Sequence, residues 1–96
     1  MAFIELIQAK LNEGVTVGEF LAANKVIEEG YVSQQKGFIS RETAVSNNND
    51  VLIIVHWESA ADIAASQEGF SNAEGVGPFF GAMDQSTMQL NQYQVQ

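Results

Sequence analysis

The residues from Asp50 to Ser59 constrain this fold most strongly, because they form a short stretch that is apolar on both faces. Side chains alternate from one face to the other along a β-strand. One face of this stretch then carries Val51, Ile53, Val55 and Trp57, and the other carries Leu52, Ile54 and His56. A strand that is apolar on both faces needs a covering layer on each. We expect helices of the same chain to cover one face and a second copy of the chain to cover the other.

The size and composition of the chain fit one globular domain. Of its 96 residues, 46% are hydrophobic and 17% are charged, and this balance is typical of folded rather than disordered proteins. We therefore treat residues 1–96 as a single domain. A domain of this size buries a limited core, so self-association would add to its stability.

Acidic residues outnumber basic residues by twelve to four, which gives a net charge of -8. That charge repels phosphate backbones and anionic lipid headgroups, so we expect neither nucleic acid nor a membrane as a partner. An RNA-binding domain would need exposed aromatic residues on basic strands. The sequence shows neither a signal peptide nor a long apolar run, and we therefore predict a cytoplasmic protein.

The first half of the chain predicts a strand and then a helix. Ala2 to Leu11 is a mixed run with residues that suit a strand. Thr16, followed three residues later by Glu19, matches a capping box, so a helix should begin directly after Thr16. Gly30 weakens this helix without ending it, and Gly37 is the expected stop.

One stripe of this helix should face the core. Its members are Val17, Phe20, Ala23, Ile27 and Tyr31. Asn24 lies on the same stripe, and its amide needs hydrogen-bond partners if it is buried. Either Asn24 and Tyr31 bond to the neighbouring strands, or they line a cavity beneath the helix.

The next elements are a hairpin and a second helix. Phe38 to Val45 alternates as a strand does, with Arg41 and Phe38 on opposite faces. The turn from Ser46 to Asp50 joins this strand to the central one. Ser59, with Asp62 three residues later, should cap a helix that ends by Gly69.

The end of the chain predicts less regular structure. Ser71 with Glu74 repeats the capping pattern, so we expect a turn or two of helix. An irregular segment should then carry Phe79 and Phe80. A last strand should run from Ser86 to Gln96 at an edge of the sheet.

The predicted order is therefore β-α-β-β-α-β, the ferredoxin-like arrangement of the α+β class. It consists of a four-stranded antiparallel sheet with both helices on one face. The bare face of the sheet would pack against the same face of a second copy, and edge strands could exchange between copies. We therefore expect a homodimer formed through the sheet faces.

No cofactor site and no metal site is predicted. The chain contains no cysteine and one histidine, which excludes thiolate sites and histidine clusters. Gly75-Val76-Gly77 is not a phosphate-binding loop, because no Lys-Ser or Lys-Thr follows it.

Several segments together resemble one known family. They are Gly37-Phe38 before the second strand, the run Val51 to Val55, Trp57-Glu58-Ser59, the alanine-rich helix after it, Phe70, and Pro78-Phe79-Phe80. With this pattern the chain resembles the dimeric α+β barrel superfamily, and within it the antibiotic-biosynthesis-monooxygenase-like domains. The resemblance covers nearly the whole chain. It implies a homodimer of ferredoxin-like subunits with a small ligand cavity between the helices and the sheet.

Members of the family that the chain resembles differ in activity. Some oxidise polycyclic aromatic substrates without a cofactor, some degrade haem, and many have no assigned activity. The haem-degrading branch uses an asparagine on the first strand, a second tryptophan on the helix after Trp-Glu-Ser, and a histidine at the end of that region. The first strand here has no asparagine, the second tryptophan's place falls near Ser66, and no histidine follows His56. No haem-degrading residue can therefore be carried over.

His56 is the candidate catalytic residue. It is the single histidine in the sequence, and an imidazole can gain or lose a proton near neutral pH. A histidine on a strand is more often a residue of the core or of an interface, and no partner at a recognisable spacing accompanies this one.

The candidate ligand-binding residues are Asn24, Tyr31, Arg41, Trp57 and Phe80. Asn24 and Tyr31 share the inner stripe of the first helix. Arg41 could hold an anionic ligand in bidentate geometry or form a salt bridge with one of the acids. Trp57 and Phe80 offer aromatic surface either to a ligand or to the core.

Two functions remain open at this point. The first is a homodimeric domain that binds a small apolar or aromatic molecule in a helix-sheet cavity, with cofactor-independent monooxygenation or proton abstraction by His56 as its chemistry if it is an enzyme. The second is a non-catalytic interaction or structural module whose dimer is its function. A void beneath the helices would favour the first, and a completely filled core would favour the second.

Overall fold

The computed structural model describes residues 2–96. The elements are β1 (Phe3–Leu11), α1 (Val17–Gly30), a 3-10 turn (Val32–Gln34), β2 (Phe38–Val45), β3 (Asp50–Trp57), α2 (Ala60–Phe70), α3 (Val76–Gly81) and β4 (Met83–Gln94). Within residues 2–96 the four strands form one antiparallel sheet in the order β2-β3-β1-β4. With its helices on one face, this is the predicted ferredoxin-like arrangement.

The two faces of β3 differ as the alternation predicts. On the face toward the helices, Val51, Ile53, Val55 and Trp57 are fully or almost fully buried. On the bare face, Leu52, Ile54 and His56 are partly exposed. The core therefore lies between the helices and one face of the sheet.

Local hydrogen bonds fix the start of α1 where the capping box predicts it. Thr16 Oγ1 accepts a hydrogen bond from the Glu19 backbone N–H at 3.0 Å, and Glu19 Oε1 accepts one from the Thr16 N–H at 3.1 Å. These bonds use donors that the first turn of a helix leaves without partners. The inner stripe then packs on the sheet, where Phe20, Asn24 and Ile27 are buried.

The hairpin and α2 also begin as predicted. In the turn, Ser46 Oγ accepts a hydrogen bond from the Asp50 N–H at 3.0 Å. At the start of α2, Ser59 Oγ accepts one from the Asp62 N–H at 3.1 Å. α2 ends at Phe70, directly after the predicted end.

The prediction that the first helix continues past Gly30 to Gly37 is wrong, because α1 ends at Gly30. Tyr31 leaves helical geometry at φ -130° and ψ -64°, and its hydroxyl is held by α2 through a hydrogen bond to the Ser66 carbonyl. Gly37 instead precedes β2 with a positive φ of 84°, where a side chain would collide with Asp62.

An irregularity in β2 changes which side chains share a face. Phe38 pairs with Trp57 and Arg41 pairs with Val55, so Phe38 and Arg41 both face the helices. The prediction that they lie on opposite faces is wrong. Ile39 lies where the register shifts, and one extra residue in a strand displaces the alternation after it.

The predicted irregular segment around Phe79 and Phe80 is also wrong, because both residues lie on α3. Pro78 is the third residue of α3. In the first turn of a helix a missing N–H removes no helical hydrogen bond, so proline is tolerated there. β4 is an edge strand as predicted, but it begins at Met83 rather than at Ser86.

Candidate functional site

A cavity of about 240 Å³ lies between the sheet and helices α2 and α3. Its apolar lining includes Ile7, Val32, Val55, Phe70, Phe80 and Leu90. Leu90 is also 56% exposed to solvent, so the cavity opens beside the edge strand β4. The core beneath the helices is therefore not completely filled.

Two charged residues from different strands reach this cavity. Glu5 on β1 and Arg41 on β2 both pair with Val55 on the β3 strand between them. Because neighbouring strands lie about 4.8 Å apart, the two Cα atoms are roughly 10 Å apart on the same face. Both side chains line the cavity, so one negatively charged and one positively charged side chain lie in a mostly apolar space.

The carboxylate of Glu5 is buried and hydrogen-bonded. Oε1 accepts a hydrogen bond from Trp57 Nε1 at 3.2 Å, and Oε2 accepts one from Gln67 Nε2 at 2.8 Å. Each carboxylate oxygen can accept two hydrogen bonds. Glu5 therefore keeps capacity to accept a hydrogen bond, or a proton, from a molecule in the cavity.

The guanidinium of Arg41 is held from one side. Nη1 donates to Asn24 Oδ1 at 2.7 Å and to Glu28 Oε1 at 3.1 Å. The guanidinium carbon lies 5.8 Å from the centre of the Phe79 ring, within cation-π range. The side chain is 1% exposed, so these contacts replace its hydration.

The Nε of Arg41 has no acceptor. It is buried, and none of the residues 2–96 accepts a hydrogen bond from it. Burial lowers the pKa of the Arg41 guanidinium, while the hydrogen bond and charge of Glu28, and the charge of Glu5, oppose that change. Arginine keeps its proton in proteins, so the site contains a cation whose Nε–H is buried without an acceptor in the described chain.

Asn24 and Tyr31 bond to protein groups and are not part of the cavity lining. Asn24 accepts from Arg41 and donates its amide to Thr43 Oγ1 at 3.2 Å. The Tyr31 hydroxyl donates to the Ser66 carbonyl at 2.7 Å. Asn24 bonds to strand β2, as one of the two alternatives predicts, and positions Arg41. Tyr31 bonds to α2 rather than to a strand, and it anchors that helix.

The two aromatic candidates take different places. Phe80 lines the cavity and stands edge-on to Phe70 with the ring centres 5.4 Å apart. Trp57 is completely buried and does not belong to the lining, but its indole N–H bonds to Glu5. Phe80 can therefore touch a ligand directly, whereas Trp57 orients the carboxylate that can.

His56 lies on the other face of the sheet. It pairs with Ile4 on β1 and Ser40 on β2, on the bare face and away from the helices. The sheet therefore separates its imidazole from Glu5 and Arg41. The predicted role of His56 as a base stays a prediction.

Sequence reasoning missed Glu5 and Gln67. A signal for Glu5 was present, since it alternates with Phe3 and Ile7 on the inner face of β1. An acid between two inward apolar residues is costly unless it is paired, which marks a functional or bonded position. Gln67 carried no comparable signal, because it sits in a polar part of α2.

A second depression, of about 540 Å³, lies at the hairpin end of the sheet. Its lining includes the exposed polar residues Gln8, Lys10, Asp50 and Gln89. Lys10 and Asp50 already neutralise each other across 2.6 Å. It is a more open and more polar surface than the cavity under α2, so it offers less shelter to an apolar ligand.

Residues 2–96 contain no cluster of three or more histidine, cysteine, aspartate or glutamate side chains that could hold a metal ion. No helix in this described part of the chain is both long and apolar enough to cross a bilayer.

No family model matches the chain, and no curated protein sequence matches it. Solved structures do match it. SnoaB, a cofactor-independent oxygenase of Streptomyces nogalater, superposes with a TM-score of 0.79 at 11% identity, over 99% of this chain and 93% of SnoaB. A candidate antibiotic biosynthesis monooxygenase of Bordetella bronchiseptica gives a TM-score of 0.82 at 12% identity, over 98% of this chain and 96% of the other. A conserved protein of Methanosarcina mazei gives 0.73 at 16% identity, over 100% and 94%.

Proposed function

We propose, from the premise that this chain has the fold of the antibiotic-biosynthesis-monooxygenase-like proteins of the dimeric α+β barrel superfamily, that it binds a small apolar or aromatic molecule. One observation carries the proposal. The space between α2 and the sheet is a mostly apolar cavity that contains the buried side chains of Glu5 and Arg41. Apolar walls with a few placed polar groups are the usual construction of a small-molecule site.

The size of the cavity limits the ligand. Its volume of about 240 Å³ is slightly below the roughly 300–1,000 Å³ of ordinary ligand pockets. A molecule of one or two fused rings fits this volume better than a large polycyclic one. The aromatic wall of Phe70 and Phe80 would pack against the edge or face of such a ring.

Cofactor-independent monooxygenase-like chemistry is the enzymatic form of this proposal. SnoaB, with the same fold, is a cofactor-independent oxygenase. Where such an oxidation begins with loss of a proton from the substrate, the site needs a base. His56 is the base predicted from the sequence, and Glu5 is the acceptor that lies in the cavity.

The proposal includes a homodimer formed through the bare sheet faces. Ile4, Leu6, Leu52 and Ile54 are apolar and only partly buried there. A second copy would remove this surface from water, which stabilises an association in proportion to the area buried. A module whose dimer is its whole function would use the same surface, but it would have no need of the cavity.

Two measurements test the proposal. Native mass spectrometry of the purified protein reports the number of subunits and any retained small molecule. An NMR titration with indane, a two-ring hydrocarbon, then tests the cavity directly: signals of Val55, Phe70 and Phe80 should shift together.

A matched pair of variants locates the binding. Leu90→Trp places a large ring at the opening of the cavity, on a residue that is already exposed, and should weaken indane binding at least tenfold. Leu21→Trp adds the same ring at an exposed position of α1 and should leave it unchanged. Indane binding that survives Leu90→Trp, or no indane binding in the unmodified protein, would contradict the proposed site.

A further inference from the structure

We propose that Arg41 Nε selects the ligand of this cavity, by donating a hydrogen bond to a neutral acceptor oxygen such as a ketone carbonyl. This rests on the proposed function, because it assumes that a small molecule enters the cavity. It adds the chemical class of that molecule and the residue that recognises it.

The Nε–H of Arg41 is a buried donor without an acceptor in the part of the chain that the structure describes. Arg41 lines the cavity, its side chain is 1% exposed, and its Nε finds no acceptor among residues 2–96. Buried polar groups are almost always hydrogen-bonded, because loss of hydration without a replacement is costly. An oxygen atom supplied by a ligand would remove that cost.

The remaining contacts of Arg41 hold the donor in place. Nη1 is fixed by Asn24 at 2.7 Å and by Glu28 at 3.1 Å, and the guanidinium carbon lies 5.8 Å from the centre of the Phe79 ring. The guanidinium is planar and rigid, so fixing one end fixes the direction of Nε–H. The donor is therefore oriented before a ligand arrives, which reduces the entropy lost on binding.

Water is a poorer occupant than a ligand oxygen. A buried water molecule needs two to four polar partners to be stable. The cavity wall is largely apolar, with Val55, Phe70 and Phe80 among its members. A carbonyl group needs one donor at its oxygen and places its carbon skeleton against those apolar walls.

The charges around Arg41 favour a neutral ligand over an anion. Glu28 forms an ion pair with Arg41, and the charge of Glu5 also acts on it. One guanidinium therefore already faces two carboxylates. A ligand carboxylate would be a third negative charge in a buried site, where an uncompensated charge is expensive.

Three probes of the same ring system separate these possibilities: indane, 2-indanone and indane-2-carboxylate. Indane tests the cavity alone, 2-indanone adds a neutral acceptor oxygen, and the carboxylate adds a negative charge. We expect 2-indanone to bind about tenfold more tightly than indane, the gain expected for a hydrogen bond to a charged donor. Indane-2-carboxylate should bind more weakly than 2-indanone.

The composition of the chain gives a direct readout at the proposed donor. Arg41 is the only arginine in the sequence, so a proton-nitrogen NMR spectrum contains a single arginine Nε–H signal. 2-Indanone should shift that signal during the titration, and indane should shift it much less. Arg41→Met should remove the affinity difference between the two probes; its thermal unfolding curve verifies that it folds.

The outcomes distinguish this inference from the proposed function. If indane and 2-indanone bind equally and the Nε–H signal does not move, the cavity binds ligands but Arg41 does not select them. If indane-2-carboxylate binds most tightly, the inference that the ligand is a neutral molecule is wrong. If none of the probes binds, the proposed function fails and this inference fails with it.

Discussion

The two faces of β3 belong to the same eight residues but meet different environments. Ile53 points to the helices and is completely buried, whereas the adjacent Ile54 points to the bare face and is partly exposed. The covered face also contains the buried charges of Glu5 and Arg41, and the bare face contains His56. One strand thus separates two surfaces of different chemistry, and the proposed ligand site and the proposed dimer contact would use one surface each.

The largest expected effect separates the two candidate bases. Glu5→Gln keeps an oxygen for the Trp57 N–H but removes the proton acceptor from the cavity. If the protein abstracts protons, this change should slow deuterium uptake into the α-positions of 2-indanone by about 100-fold or more. NMR of the ketone in D₂O measures the rate.

His56→Ala is the control on the bare face, and it should leave that exchange rate within about twofold of the original. The opposite result, with exchange lost in His56→Ala and kept in Glu5→Gln, would assign the base to His56. The proton acceptor would then lie on the bare face of the sheet, opposite the cavity.

The same isoleucine-to-alanine change on each face of β3 should lower the free energy of unfolding by different amounts. Ile53→Ala leaves a void in the packed core and should lower the free energy of unfolding by about 2–5 kcal/mol. Ile54→Ala should cost about 1 kcal/mol or less in the isolated subunit, because its side chain is already partly exposed. Urea unfolding measures both values.

Protein concentration sharpens this second test. If copies associate through the bare face, the cost of Ile54→Ala should rise with concentration, since association stabilises the folded chain by mass action. The cost of Ile53→Ala should depend on concentration no more than the stability of the unmodified protein does. Equal costs for the two variants at every concentration would remove the distinction between the faces.

Two ion pairs offer a smaller contrast: Arg41 on β2 with Glu28 on α1, and Lys10 on β1 with Asp50 on β3. Arg41→Met breaks a pair that is buried at the arginine, but Glu28 stays one-third exposed and can turn to solvent. We therefore expect a loss of about 1–3 kcal/mol rather than the larger loss of a fully buried pair. Lys10→Met breaks the exposed pair with Asp50 and should not move the urea midpoint measurably. A larger loss of unfolding free energy in Lys10→Met than in Arg41→Met would show that burial does not decide how much these ion pairs stabilise the fold.

The smallest effect is a pH dependence at the hairpin end. The hydrogen bond from Lys10 holds the pKa of the Asp50 carboxyl below its ordinary value. A carboxyl whose pKa is lowered in the folded state stabilises the fold at pH values above its pKa in the unfolded chain. This contribution disappears as the pH falls through its pKa in the folded state. Lys10→Met should raise the pKa of Asp50 toward its ordinary value in a carboxyl NMR titration. An unchanged titration would mean that Lys10 does not act on it in solution.

Much of the fold could be predicted because its signals are local. The capping bonds of Thr16 with Glu19 and of Ser59 with Asp62 join residues three positions apart, and both helices begin as expected. The alternation of β3 is equally local. The end of α1 was not predictable in this way, because Tyr31 is held by Ser66, 35 positions away.

The site was less predictable than the fold. Arg41 and Phe80 were identified as candidates and do line the cavity, but Glu5 and Gln67 were not. The irregularity at Ile39 puts Phe38 and Arg41 on one face, and no pattern in the sequence of β2 predicts it. Where a strand shifts register depends on how its side chains pack against the rest of the molecule.

By itself, the sequence determined the order of elements, the helix starts and the two-sided apolar strand, because hydrogen bonds and alternation over a few residues are set by neighbours along the chain. Tertiary structure alone decided the site. The Glu5 carboxylate meets Trp57 and Gln67 across 52 and 62 positions, and Arg41 meets Asn24 across 17. Such contacts form only when strand register and helix packing bring distant residues together, which is why the buried, unpaired donor of Arg41 could not be read from the sequence.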